Sequence, residues 1–479
     1  MKMPNYPGEL TDSNISRIFD SADDFVRREL RLHGKTIYAY MIDGLVSGGD
    51  VADFVLKPLV QGLKNGTMEE LFAQALYGEV YSAVAGEAKN LDDVAMKLVN
   101  GFCVVLFPGA GAVAYEAKTG EKRGLSAPEV ENTVKGPKDA FTETVRTNTS
   151  ILRRHMRSPE LRLYSTQVGK RSLTNVTVAW VEGITDPSLV QRMKDRLAEI
   201  DIDGLISPVA VEEYVTGSRE TAFPLLQYTQ RADKFSQGLL AGRVGLLVDG
   251  LPQGYLAPVD LGYLMTSPED RSRDYLTASA IRVLRYGALL LSLLLPAFYV
   301  AMAAYHPEMI PLPLLASMIE SKQSVPFPTV LEVLGLLLAF EILQEAGIHL
   351  PQSIGQTVSI IGGLVVGSAA VEAKLISPAT LIAVASAGIC GFALPERDLA
   401  HAIRLWRFGI TAVAALGGLF GMAAGVLALV IHLSGLSSLG VPYLCPFSTG
   451  GRLGILRRLL SKDKWRDEAL NPVDRKNQR

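Results

Sequence analysis

Two rules govern the apolar positions of this chain. Up to about residue 265 they come in short groups broken by charge and turn residues; beyond it they run in long unbroken stretches. In the first part, KTIYAYMIDGLV (35–46) alternates apolar, β-branched and aromatic residues and stops at Asp43-Gly44, which predicts a strand ending in a tight turn. The segment before it, SRIFDSADDFVRREL (16–30), reads as a helix after a polar lead. VADFVLKPLVQGL (51–63) has helical spacing, with Pro58 as its kink or end, and 91–118 gives a helix and then two strands around Pro108-Gly109. After the loop 119–137 comes a basic amphipathic helix carrying Arg146, Arg153, Arg154 and Arg157, read as a solvated or subunit-contact face, and then strand and helix over 175–204. WVEGIT lines up with MIDGLV, so Glu182-Gly183 falls on Asp43-Gly44, and GLLVDG repeats the ending at Asp249-Gly250. The acid–glycine pairs are read as turn chemistry, glycine supplying positive φ and the acid capping or solvating the turn.

The second part holds about five apolar segments: 287–305, 327–344, 354–373, 376–394 and 408–433. About 20 apolar residues cross the hydrocarbon of a bilayer. The expected fold is therefore an α+β soluble N-terminal region of two related α/β subdomains, an all-α polytopic membrane domain and a short basic tail. The boundaries read as a lead and helix (1–29), subdomains at 30–118 and 138–265 around a linker (119–137), a juxtamembrane helix (266–286), the membrane domain (287–448) and the tail (449–479). Arg271, Arg273, Arg282 and Arg285 precede the first apolar segment and place the N-terminal half in the cytoplasm. Arg397, Arg404, Arg407 and the basic tail point to the same side. Five full crossings put the tail on the other side, so either one segment is re-entrant, around 436–447, or the charge rule fails.

The apolar segments are not plain anchors. Glu332 and Glu341 lie inside the second and Glu345 near its end. Ionisable residues in such helices are expensive, so they mark functional positions or structural pairs, and the acids alone decide neither. Gly355, Ser359, Gly363 and Gly367 form a small-residue ridge on the third segment, with similar ridges at Ala383, Ala387 and Gly391 and at Gly417, Gly421 and Gly425. Such ridges admit close helix packing, within one subunit or in an oligomer. Tyr305, His306, Pro307 and Glu308 close the first segment before a proline-bearing connector that ends in the short amphipathic piece LLASMIESKQS.

Composition narrows the function. With 48% hydrophobic and 20% charged residues, part of the chain belongs in lipid. Three cysteines without CxxC spacing fit neither a disulfide framework nor a zinc site. The N-terminus lacks the pattern of a signal peptide. There is no Walker A, GxGxxG, HExxH or GxSxG pattern, and the six histidines are scattered. No enzyme, cofactor or metal is expected. Nucleic acid is not an expected partner, because the arginine helix lacks aromatic interleaving and the net charge is only −2.

KGPKDAFTETVRTN (135–148), RSPELR (157–162), GRVGLLVDGLP (242–252), LPAFYVAMAAYHPEMIP (295–311), VPFPTVLEVLGLLLAFEILQEAG (325–347), IGQTVSIIGGLVVG (354–367) and LGVPYLCPFS (439–448), in this order, resemble the GerA family, the A-type subunits of spore germinant receptors. The resemblance implies an inner-spore-membrane protein with its N-terminal domain toward the spore core. It implies a B-type nutrient-binding subunit and a C-type lipoprotein as partners, and a homo-oligomer, a pentamer by family expectation, that forms a nutrient-gated channel for monovalent cations. On that reading Gly355, Ser359, Gly363 and Gly367 serve packing or a pore wall. Glu332, Glu341 and Glu345 are the ionisable elements within the membrane, and Tyr305–Glu308 receives the nutrient signal. Leu337 and Ser368 stand where many relatives carry acids, which weakens the case for an acidic selectivity ring. A non-conducting scaffold, a SpoVAF-like modulator and a secondary transporter are the alternatives.

Overall fold

A computed structural model describes residues 6–78, 80, 84–119, 137, 139–205, 207–217, 220–348, 367–445 and 447. They form two compact units, one from residues 6–217 with 226–258, the other from residues 220–225 with 259–447.

The first unit contains two five-stranded antiparallel sheets. Strands β1 (Phe25–Leu32), β2 (Lys35–Ile42), β3 (Ala85–Ala88), β4 (Phe102–Phe107) and β5 (Gly111–Glu116) pair in the order β1-β2-β4-β5-β3. Strands β6 (Leu161–Val168), β7 (Thr174–Val181), β8 (Gln227–Thr229), β9 (Val244–Val248) and β10 (Gly254–Ala257) pair as β6-β7-β9-β10-β8. Counted within each sheet, the two orders are the same. Period-2 alternation builds the first sheet: Ile37, Ala39 and Met41 enter one core, while Tyr40 and Ile42 enter the core on the opposite face. Helix α1 (Asp12–Ile18) and helix α2 (Leu91–Val99), the latter capped by Asn90, cover that second face. The repeated strand endings are also aligned, since Asp43-Gly44 follows β2 and Glu182-Gly183 follows β7. Asp249-Gly250 differs: it follows β9, the fourth strand of its sheet, and the Asp249 carboxylate accepts from the Val145 N–H at 2.9 Å.

Three local expectations need correction. The helix predicted over 16–30 ends at Ile18, and Phe25–Leu32 is an edge strand whose charged residues face solvent. Pro58 does not end its helical run, which continues to Gly62; the run changes from π-helical, Val51–Leu56, to α-helical, Lys57–Gly62, just before the proline. On the arginine helix, α3 (Val145–His155), and just beyond it, Arg146, Arg154 and Arg157 are exposed as expected, but Arg153 is not. Arg153 is 1% exposed and grips Asp24 through two hydrogen bonds of 2.7 and 2.8 Å, while Arg146 pairs with Asp43. Ser150 Oγ donates to the Gly44 carbonyl at 2.7 Å, so α3 ties the second sheet to the turn after β2.

The second unit is helical among its described residues, apart from a two-stranded ribbon at Ser437–Ser438 and Val441–Pro442. Its long helix α4 (Tyr275–Tyr305) is not preceded by a separate juxtamembrane helix; a 3-10 turn, Pro268–Arg271, leads into it, and Asp274 caps it. Helices α5 (Leu312–Lys322), α6 (Thr329–Ile348) and α7 (Pro378–Phe392) follow. The helical residues Arg397–Gly435 are a hairpin rather than one rod. A straight helix separates residues 8 apart by roughly 12 Å and residues 15 apart by roughly 22 Å. Here a Cβ on Gly421 would lie 2.3 Å from the Val413 carbonyl oxygen, and one on Gly425 would lie 3.4 Å from the Ile410 Cα. The reversal is at Gly418, whose φ of 58° and ψ of −139° suit glycine alone. The single segment expected at 408–433 is thus two antiparallel arms, of roughly 31 and 25 Å at 1.5 Å per residue.

Both ends of the hairpin pack against the chain that leads into α4. Leu399, Ala402 and Ile403 from its beginning and Leu433 from its end share a core with Val259, Leu264 and Met265. The Ser438 hydroxyl donates to the Leu225 carbonyl and accepts from the Val259 N–H, and the Tyr443 carbonyl accepts from Leu261 N–H. The apex lies at the other end of α4, where a Cβ on Gly418 would sit 3.0 Å from Tyr305. The arms therefore run from the end of α4 along roughly two-thirds of its length, about 46 Å in all, and back.

Candidate functional site

Glu332 sits one turn into α6, and its side chain is fully buried. Its shell is apolar: Val333, Leu336 and Leu337 of the same helix, Val300 of α4 and Val384 of α7 make one buried cluster. A carboxylate in such a place needs donors. Oε2 accepts from the Ser377 N–H at 2.8 Å and from Thr380 Oγ1 at 3.1 Å. Ser377 is the N-cap residue of α7, so the carboxylate also lies at the positive end of that helix dipole. Thr380 Oγ1 is within hydrogen-bond distance of Ser377 Oγ (2.8 Å) and of the Tyr299 hydroxyl (3.2 Å). Oε1 has no hydrogen-bond donor among the described residues; the Lys322 ammonium, from the end of α5, stands 3.5 Å away and donates to Thr329 Oγ1. Side chains of α4, α5 and α7 thus gather about one acid of α6.

Glu341 lies on the same helix in a different setting. It pairs with Arg404 of the first hairpin arm at 3.0 Å, and Arg404 also contacts Gln344 and His401. One turn on, Arg407 is 2% exposed, and its Nε and Glu341 Oε2 both lack a hydrogen-bond partner among the described residues. Glu345 is solvent-exposed in the isolated chain. Glu332 and Glu341 are therefore held in separate contacts, not gathered into one group.

The turn after α4 touches the hairpin. Tyr305 donates from its hydroxyl to the Ala415 carbonyl at 2.6 Å, near the helix break, and His306 Nδ1 is 3.4 Å from the exposed Glu308. Pro307 opens a short 3-10 turn, Pro307–Met309. Of the small-residue positions, Gly355, Ser359 and Gly363 lie outside the described residues. Gly367 is buried against Leu381 of α7. The α7 ridge meets α4, where a Cβ on Gly391 would be 3.2 Å from Ser292 Oγ. Gly421 and Gly425 face the other arm of their own hairpin.

A further cluster was not anticipated. Arg282 and Arg285 were read only as charges that orient the first membrane segment; both are buried against Asp270. Arg285 holds that carboxylate in a fork of 2.7 and 2.8 Å, and Arg282 lies 3.4 Å from it. The signal was present in SPEDR, where Ser267 and Asp270 form a reciprocal helix cap, but the arginine partners lie 12 and 15 residues on.

An α/β unit of two like-ordered sheets is followed by a helical unit, and the two helical stretches long and apolar enough to cross a membrane are consistent with membrane association. The family model for the Bacillus/Clostridium GerA spore germination protein matches residues 13–469. The chain belongs to the GerA family. It is 34% identical to spore germination protein KA of Bacillus subtilis over 458 residues, 94% of this chain and 83% of that one. It is 31% identical to spore germination protein A1 of the same species over 459 residues, 95% and 94% of the two chains. It is also 34% identical to the uncharacterized membrane protein YfkQ of that species over 437 residues, 91% and 85% of the two. Among solved structures, it is similar to the N-terminal domain of the A subunit of the Bacillus megaterium spore germinant receptor GerK3, with 26% identity, a TM-score of 0.40, and 51% of this chain and 92% of that chain covered.

Proposed function

We propose that this chain is the A-type subunit of a spore germinant receptor, set by its second unit into the inner spore membrane with its first unit toward the spore core. It assembles with a B-type nutrient-binding membrane subunit and a C-type lipoprotein, and oligomerises, as a pentamer in our reading, into a nutrient-gated channel for monovalent cations. Family membership supports the receptor role. The observation that carries the membrane placement is the outer surface of the second unit, where Leu276, Leu291, Ile389, Leu416, Phe420 and Ile431 each expose half or more of their surface. Such a surface is at home against lipid or neighbouring copies.

The hairpin supplies the extra reversal that the arginine pattern asks for. With both hairpin ends beside the segment that leads into α4, the described chain returns to the side where it entered the bundle, and Arg397 and Arg404 share the cytoplasmic face. The Tyr305–Glu308 turn then lies on the far side, joined to the hairpin apex through the Tyr305–Ala415 hydrogen bond. A signal at that turn has a direct path to both arms.

Potassium efflux from liposomes holding this chain with its two partner subunits tests the channel. Nutrient-triggered efflux that requires this chain is the expected result. A second reading, a non-conducting scaffold or SpoVAF-like modulator, draws on one observation: Glu332 and Glu341 are each engaged with a cation of their own chain. Absence of efflux together with a monomer or dimer by native mass measurement decides for that reading.

A further inference from the structure

We propose that the oxygen cluster around Glu332 is a binding site for a dehydrated monovalent cation, and that the Lys322 ammonium occupies its place in this state as a tethered substitute. The proposal deepens the membrane reading of the second unit but does not depend on conduction. Glu332 brings one negative charge into an apolar shell; the Thr380 hydroxyl lies directly against it, the Ser377 and Tyr299 hydroxyls stand behind Thr380, and the Thr329 hydroxyl holds the Lys322 ammonium. Hard oxygen donors select hard cations. A divalent ion ordinarily draws on more anionic charge than one carboxylate, whereas a single positive charge balances Glu332.

The fit of the lysine is loose. Charge-assisted N–H···O bonds run at about 2.7–2.9 Å, yet the ammonium stops 3.5 Å from Oε1 and spends a hydrogen bond on Thr329. Oε1 is buried and accepts no hydrogen bond from the described residues, so it can serve as a ligand to a small cation. The lysine is also removable. Its side chain is one-third exposed, and α5 has no buried residue, so drawing Lys322 away breaks little packing. Withdrawal of α5 therefore exchanges a tethered cation for a free one at the junction of α4, α6 and α7.

The test uses the full chain in lipid nanodiscs and reads its thermal unfolding midpoint in potassium or sodium against N-methylglucamine at constant ionic strength. Lys322→Met should gain a saturable rise of a few degrees with potassium or sodium, while the unaltered chain stays flat. Adding Glu332→Gln to Lys322→Met should remove the response. In Lys322→Cys the same response should appear and then vanish once aminoethyl thiosulfonate restores an ammonium at that position. A flat response in both lysine variants overturns the site. So does a response that survives Glu332→Gln, because the ion then binds elsewhere. A saturable response without any efflux in liposomes removes the channel and keeps the site.

Discussion

Asp270 and Glu332 are two buried carboxylates in one helical unit, and they are satisfied in opposite ways. Asp270 is held in a bidentate fork by Arg285 at 2.7 and 2.8 Å, with Arg282 behind and the Ser267 N–H in front. Glu332 has one well-satisfied oxygen and one that meets only a lysine at 3.5 Å, from a helix that buries nothing. The first arrangement fixes the base of α4, because any movement leaves charge stranded. The second leaves a partner that can depart. Burial alone does not separate a lock from a latch; the number and length of the bonds do.

The largest effect is expected at the lock. Asp270→Asn keeps the shape but removes the charge from Arg285, and breaking a buried pair from one side costs about 3–5 kcal/mol. The full chain should fail to reach a stable fold in detergent, or lose that much in chemical denaturation. A loss below about 1 kcal/mol would mean that the fork is not what fixes the base of α4.

Next comes the hairpin against which α4 packs. Gly421→Ala sets a methyl group 2.3 Å from the Val413 carbonyl and must push the arms apart, at a cost of about 1–3 kcal/mol. Gly417→Ala meets nothing within 4 Å and should be neutral or stabilising, since alanine favours helix over glycine. Equal melting temperatures for the two variants would refute the reversal at Gly418. Topology gives a second check: cysteines at Leu416 and Ser437, with Cys390 replaced by alanine, should react with an impermeant thiol reagent from opposite sides of a sealed vesicle.

These same regions show how far the sequence could be read. The alternation in KTIYAYMI and the match of MIDGLV to WVEGIT were local signals, and β2 and β7 occupy the same place in like-ordered sheets. The edge strand FVRRELRL was lost to a helix, because a strand paired on one side and open to solvent need not alternate. Arg153 was lost to a surface stripe because its partner Asp24 is 129 residues away. Glu332 was legible as a charge in an apolar run. Its donors Ser377 and Thr380, 45 and 48 residues on, were not, although a serine before a proline is an ordinary helix start. The hairpin was hidden because Gly417-Gly418 fits a small-residue ridge as well as a turn, and only the backbone angles at Gly418 distinguish them.

The contrast between lock and latch sharpens at Glu332. Glutamine keeps an acceptor for the Ser377 N–H and the Thr380 hydroxyl and gives up only attraction to a partly exposed lysine. Glu332→Gln should therefore cost about 1 kcal/mol or less, several-fold below Asp270→Asn. A loss as large as that at Asp270 in chemical denaturation would place Lys322 and Glu332 in a rigid pair and end the distinction.

Asp12 extends the series to the surface of the first unit. The Arg27 guanidinium hydrogen-bonds it at 2.6 and 2.7 Å and the Tyr40 hydroxyl at 2.8 Å, which holds its carboxyl below the usual carboxylate range. Its geometry matches the fork at Asp270, but both partners are roughly a third exposed, so solvent screens the pair and its worth is at most about 1 kcal/mol. A depressed folded pKa adds stability that is fully present above the unfolded value, about 3.9, and is lost as the pH falls through the folded one. Asp12→Asn should thus lower the melting temperature slightly at neutral pH and flatten its decline below about pH 4. An unchanged acid slope would show that the bidentate form contributes nothing once water reaches it. Burial would then be the whole difference between Asp12 and Asp270.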